Sequence, residues 1–311
     1  MQIADEISTW LLAGDPSIAY QTKRDLLDAS ESAQRAAQKR ISREGWGRAF
    51  LERQRPDGHW GRGAYQPKWI CTHYTLMDLK TLAIGRDNPE CRKATNLLLS
   101  SKPGADGGLN YARTVAFSDI CINGMILNMA SYFAPESNAL CHLIDYILSH
   151  QFEDGGWNCM YYQGAKHSSV HSTIGVIEGL IEFRKTASRY RYAELENSIS
   201  KGLEFLLRHK MYKSERTGEP FDRKMLKLSF PCRWKYDILR AIEAFVSAKA
   251  PYDARMLDAM DVIIKKRRTD GTWPLQAKHP GQIHFEMEKV GTASRWNTLR
   301  VLRVCRHYKF A

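Results

Sequence analysis

Apolar residues recur at three- and four-residue spacing through most of the chain. CRKATNLLLSS (91–101), CHLIDYILSH (141–150), ISKGLEFLLRH (199–209) and MLDAMDVIIKK (256–266) each set one apolar stripe against a polar face, the pattern of an amphipathic helix. Each ends in Gly, Pro or Asp-Gly, which stop helices. Beyond each stop comes a second helix that is apolar on nearly every side: WICTHYTLMDLKTLAI, FSDICINGMILNMASYF, HSTIGVIEGLIEF, WKYDILRAIEAFV and SRWNTLRVLRVC. Amphipathic helices alternating with apolar ones predict an outer layer around a buried inner layer. No stretch reads as a convincing sheet, so the expected fold class is all-α.

The stops between these helices repeat. They read QRPDGHWG (54–61), KPGADGGLN (102–110), QFEDGGWNC (151–159) and RRTDGTWPL (267–275), and their glycines, Gly58, Gly107, Gly155 and Gly271, lie 49, 48 and 116 residues apart. The last gap has room for one further, degenerate copy, RTGEPF, from Arg216 to Phe221. A fixed period near 50 residues means a repeat fold whose units bury their apolar faces against neighbours. Short connections make each outer and inner pair antiparallel. Five such hairpins, with the N-terminal helices as a sixth, close into a double-layered α/α toroid. The expected organisation is one domain over 1–311, with 1–36 closing the ring and 37–311 forming five repeats.

All inner helices of such a ring run the same way, so their N-terminal ends crowd one mouth of a central cavity. The groups expected there are Lys68, Trp69, Cys71 and His73, then Phe117, Ser118, Asp119 and Cys121, then His167 and His171. Arg233, Trp234, Tyr236 and Asp237 follow, and then Arg295, Trp296 and Asn297, with His284, Glu286 and Glu288 on the preceding loop. Titratable groups, aromatics and arginines around an apolar cavity describe a catalytic pocket. Glu286 could serve there as a general acid or base, and Arg233, Arg295 and Lys68 could clamp an anionic head group. Trp69, Trp234 and Trp296 recur at matching places and offer π faces to a cation, or pack between hairpins. The cassette tryptophans Trp60, Trp157 and Trp273 are read as structural.

Composition narrows the ligand. A net charge of +12, from 46 basic and 34 acidic residues, disfavours a cationic ligand and favours phosphates or an anionic surface. Nucleic acid is not expected, because the basic residues are scattered, with no zinc-finger spacing and no aromatic RNA-binding strand. Seven cysteines with no signal peptide ahead of them suggest a reduced, cytoplasmic setting. No apolar run approaches the roughly 18 to 20 residues of a membrane span, which leaves peripheral contact as the expected limit.

The cassettes resemble the Gln-Trp repeats of the squalene-hopene and oxidosqualene cyclase family, and of the related protein prenyltransferase β subunits, over roughly residues 40–311. That resemblance implies the same α/α toroid and an isoprenoid or similarly apolar substrate, possibly carrying a diphosphate. Cyclases of the protonating type use a DxDD acid. Here there is no Asp-Asp pair and no DxD, and Asp119 is the nearest stand-in. The prenyltransferase pattern, an Asp-x-Cys pair on one inner helix and a His on the next, matches Asp119, Cys121 and His171, and implies a zinc ion activating a nucleophile. His167 and Cys159 are spare ligands, and Arg113 stands where a cation for the diphosphate is implied. Trp69, Trp234, Tyr236 and Trp296 would line the substrate.

Each residue also has a plain reading: Asp119 as a helix cap, Cys121 as a small buried hydrophobe, His171 as a hydrogen-bonded core histidine. Three alternatives stand beside the zinc enzyme of isoprenoid chemistry. They are a metal-free cyclase with Asp119 as acid, a non-catalytic toroid binding a lipid or peptide, and a zinc enzyme on another substrate class. The sequence leaves open whether a partner subunit exists.

Overall fold

A computed structural model describes residues 4–112 and 115–310. Arg113, expected as an anion contact, lies outside the described residues. Among the described residues thirteen α-helices are joined by turns and short loops, and the one sheet is a two-residue pair, Trp273–Pro274 against Ala293–Ser294. The fold is all-α.

Six helices form the inner ring: α2 (Pro16–Asp25), α5 (Thr72–Thr81), α7 (Ile120–Phe133), α9 (Val170–Arg184), α11 (Ile238–Ala248) and α13 (Arg295–Tyr308). Each packs on the next, α5 on α7, α7 on α9, α9 on α11, α11 on α13 and α13 on α2. The circle closes where Gln21 Nε2 of α2 donates to the Thr81 carbonyl of α5 at 3.0 Å. Outside them lie α1 (Asp5–Leu12), α3 (Glu31–Ile41) with α4 (Gly45–Leu51), α6 (Pro89–Leu99), α8 (Ala139–Ser149), α10 (Tyr192–Arg208) and α12 (Leu257–Ile264). α7 and α9 are the most apolar of the inner helices, with most of their residues buried, whereas α2 and α13 also carry several polar and basic side chains. α10 buries only Leu195, Ile199, Leu203, Leu206 and others on one stripe. No helix among the described residues is long and apolar enough to cross a membrane.

The cassettes are joints between the two layers. The indole Nε1–H of Trp60, Trp157 and Trp273 donates at 2.8 Å to the carbonyl of Phe50, Ile147 and Ile263 respectively, near the end of the preceding outer helix. Each carbonyl is one that a helix C terminus leaves without an intrahelical partner. The backbone N–H of the same tryptophans donates to Thr72, Thr173 and Thr298 of the following inner helix at 2.9–3.0 Å. In the second copy Leu109 replaces the Trp and Asn123 replaces the Thr, receiving the Leu109 N–H at 2.8 Å. Gln54 and Gln151 reach sideways to the next outer helix, at the carbonyls of Glu90 and Ser198. The cassette glycine has positive φ in all four copies, between 80° and 97°, which a side chain would strain. Thr173→Val keeps the shape and leaves the buried Trp157 N–H without an acceptor. It should cost about 1–3 kcal/mol, read as a lower urea midpoint at unchanged slope.

Candidate functional site

A cavity of about 410 Å³ lies inside the ring, and all six inner helices contribute to its wall. Its lining comes from the middle and C-terminal turns of those helices: Gln21 and Arg24 of α2, Met77 to Thr81 of α5, Met125 to Tyr132 of α7, Glu178 to Lys185 of α9, and Arg240 to Ser247 of α11. Arg86 and Lys185 have half-exposed side chains at its rim, so the C-terminal ends mark the open mouth. The N-terminal end is closed by loops. Phe230, Pro231, Cys232 and Arg233 form a floor, and the chain around 279–284 lies over them, with Trp69 Nε1 donating to the Pro280 carbonyl at 2.9 Å. The expected mouth at the inner N termini is therefore covered.

Nor is the wall apolar throughout. Met77, Met125, Met129, Ile181, Phe230 and Trp296 face eight basic side chains and four carboxylates. Three buried arginines pair with carboxylates. Arg233 pairs with Asp78 across the floor, both side chains 6% exposed. Arg240 makes a two-pronged contact with Glu178 at 2.6 and 2.7 Å, and Arg300 holds Glu243 at 2.7 Å. Arg240 also donates to the carbonyls of Arg233 and Lys235, and Arg300 to that of Ser229. These pairs thereby tie the 229–235 segment into the ring and satisfy carbonyls that burial would otherwise leave bare.

Toward the mouth the balance changes. Glu182, 7% exposed, receives Lys80 at 3.3 Å, Arg86 at 3.2 Å and Lys185 at 3.0 Å. Burial pushes its carboxyl up, and those three cations together hold it below the usual carboxylate range. Lys80 is the strained member: burial first, and the neighbouring Lys185 after Glu182's opposing pull, lower its ammonium pKa. The ring of Tyr132 lies beneath Lys80 Nζ at 5.3 Å and the Arg86 guanidinium at 4.5 Å, which fixes both. Opposite, Arg303 and Arg24 share Asp25 at 3.2 and 2.6 Å. Five cations thus surround two carboxylates at the mouth. Part of this charge answers the partial negative charge of six converging helix C termini.

No family model matches the chain, and no curated protein does. Among solved structures, a protein from Actinoplanes is 15% identical, with a TM-score of 0.48, covering 94% of this chain and 89% of that one. A type II terpene cyclase from Scytonema, in complex with its product merosterolic acid A, is 13% identical, with a TM-score of 0.36, covering 88% of this chain and 96% of the other.

Many of the sequence-derived residues stand together at the covered, N-terminal end of the ring. Asp119 occupies the N-cap position of α7 without a capping side-chain bond and is exposed at the surface; burial by its neighbours raises its carboxyl and Lys68 opposes this. Cys121 stands two residues on, but its sulfur neighbour is Cys159, whose Sγ accepts the Cys121 N–H at 3.4 Å. His171 Nδ1 accepts the Tyr236 N–H at 2.9 Å, and burial lowers its pKa to about 4, so it is neutral near pH 7. Among the described residues no three His, Cys, Asp or Glu side chains come together as a metal site. Asp119, Cys121 and His171, with His167 and Cys159 in reserve, are not gathered into such a group.

The remaining candidates have visible partners. Glu286 is an exposed loop residue paired with Lys278 at 2.7 Å. Arg295 points outward, stacked 4.6 Å over Trp10 and donating to its carbonyl. Tyr236 hydrogen-bonds the Met211 carbonyl, and Trp234 packs edge-on against His171. Lys68 sits among the rings of Tyr65, Trp69 and Trp234, at 5.2, 5.9 and 5.9 Å. Arg233 and Trp296 do line the cavity, Trp296 stacked on Phe230 at 4.5 Å. Lys80, Arg86, Glu178, Glu182, Arg240, Glu243 and Arg300 were missed by the sequence reading. Their signal was there: charges one turn apart, Glu178 and Glu182, Arg240 and Glu243, Arg300 and Arg303, interrupt helices that are otherwise apolar all round.

Proposed function

We propose that the toroid binds a small amphipathic anion, an isoprenoid-like apolar group carrying a diphosphate, head outward in the central cavity, and acts on it as a group-transfer enzyme. The observation that carries this reading is the surplus of cations at the mouth, above all Lys80, Arg86 and Lys185 gathered on the single carboxylate of Glu182. A diphosphate there would relieve the repulsion between Lys80 and Lys185. The same cations would steady negative charge growing on a departing diphosphate, without any acid to protonate an alkene. The methionines, Ile181, Phe230 and Trp296 supply the apolar wall, and the cavity volume falls within the range of small-molecule pockets.

Calorimetric titration of the full chain at low ionic strength, with inorganic diphosphate and with geranyl diphosphate, tests this. Both should bind, geranyl diphosphate more tightly because only it covers the apolar wall. The double variant Lys80→Ala with Lys185→Ala leaves Arg86 on Glu182 and should weaken both ligands about tenfold or more, from lost charge-assisted bonds. Affinity should fall as pH rises through the depressed Lys80 pKa, because only the ammonium form attracts the anion. Absence of binding, or an unchanged affinity in the double variant, defeats the reading.

A further inference from the structure

At the opposite end of the ring, two thiols stand together where α7 and α9 begin. Cys159 Sγ accepts the backbone N–H of Cys121, in the first turn of α7, at 3.4 Å. It also accepts the hydroxyl of Ser172, in the first turn of α9, at 3.4 Å. The Cys159 N–H returns to Ser172 Oγ at 3.2 Å, which fixes that hydroxyl in place. One sulfur therefore receives donors from the N-terminal turns of two inner helices, where partial positive charge collects and thiolate is favoured.

Three further facts bear on the pair. Cys121 and Cys159 are partly exposed, as are Cys141 and Cys232, whereas Cys71, Cys91 and Cys305 are buried. The helices that carry the two sides are locked: a Cβ on Gly179 would lie 2.3 Å from the Gly124 carbonyl oxygen, so α7 and α9 touch backbone to backbone. And the neighbours of Cys159, Cys121 first and Ser172 after it, draw its thiol down against burial, while Cys159 and burial push the Cys121 thiol well up. Asp119, the carboxylate facing the pair, opposes the first effect.

We propose that Cys159 and Cys121 form a dithiol centre that reduces hydroperoxides, with Cys159 as the attacking sulfur and Cys121 as the resolving one. The Cys159 sulfur attacks the terminal peroxide oxygen, the O–O bond breaks, and the departing oxygen takes up the thiol proton, leaving a sulfenic acid and, from hydrogen peroxide, one water. The Cys121 sulfur then attacks the Cys159 sulfur. The S–O bond breaks, the S–S bond forms, and a second water leaves with the Cys121 proton. The two sulfurs lose two electrons and the peroxide gains them. This centre is separate from the cavity mouth and does not depend on what binds there.

The test treats the full chain with hydrogen peroxide and maps non-reduced peptides by mass spectrometry. The expected result is loss of two of the seven thiols and a peptide linking Cys121 to Cys159. Cys121→Ser should stop at a sulfenic acid on Cys159, trapped by dimedone, and Cys159→Ser should give neither product. Oxidation of Cys141 or Cys232 ahead of Cys159, or thiol loss without the linked peptide, overturns the proposal. That result is read on the unsubstituted chain, so it decides the matter even if a serine variant misfolds.

Discussion

Replacing Gly179 with alanine is expected to destabilise the toroid by about 3 kcal/mol or more, the upper end of the usual overpacking cost. The new Cβ would lie 2.3 Å from the Gly124 carbonyl oxygen and 3.1 Å from its carbon. Both are backbone atoms, so no side chain can turn aside, and α7 and α9 would have to separate along the most extensive helix contact in the ring. By calorimetry the midpoint should fall by roughly 4–5 °C or more. Gly175 on the same helix is the control. A Cβ there meets the Cys121 carbonyl oxygen at 3.4 Å and Met125 at 3.5 Å, ordinary contact distances. Gly175→Ala should therefore be neutral, or gain up to about 1 kcal/mol of helix propensity. Equal losses at both positions would show that close approach is not what Gly179 provides.

Arg233→Met should cost about 3–5 kcal/mol, because it strands Asp78 in the cavity floor without its cation. Its pH dependence separates charge from packing. In the intact protein burial raises the Asp78 carboxyl while Arg233 pulls it down. Without Arg233 the folded-state pKa moves further up, so the folded chain holds the Asp78 proton more tightly than the unfolded chain. The favourable contribution of the protonated form is complete below the unfolded pKa and is lost as pH rises through the folded one. The penalty should thus be largest near pH 8 and shrink toward pH 5, measured as the difference in unfolding free energy between the two proteins. Adding Asp78→Asn should recover part of the loss at pH 8. A penalty independent of pH would mean that Arg233 serves the floor by packing alone.

The helices were legible because an inner helix such as α7 or α9 is buried over most of its surface and so is largely apolar, whereas an outer helix shows its solvent face in the sequence. Trp60, Trp157 and Trp273 were legible as structural because one joint between layers recurs at one period. The candidate site was legible only in part. Arg233 and Trp296 reach the cavity, but Arg295, their neighbour by the same register argument, turns outward to Trp10. A helix start fixes where a backbone begins and not which way a long side chain leaves it. Asp119, Cys121 and His171 were placed at one mouth, and they do stand at inner-helix starts; yet the Tyr236 N–H occupies the imidazole and Cys159 lies against Cys121. These partners come from segments far along the chain, where no local pattern announces them.

By itself the sequence determined the all-α ring, its period and its joints, since helix periodicity and glycine with positive φ are local properties written in neighbouring residues. Only the tertiary structure decided which end of that ring is open. The inner helices present their N termini to one face and their C termini to the other. Loops 228–236 and 277–292, whose paths depend on buried pairs such as Arg240 with Glu178, cover the first and leave the second to Lys80, Arg86 and Lys185. Charges on a closed ring acquire their partners across the axis, between residues about 100 positions apart such as Lys80 and Glu182, and that pairing exists only once the ring has closed.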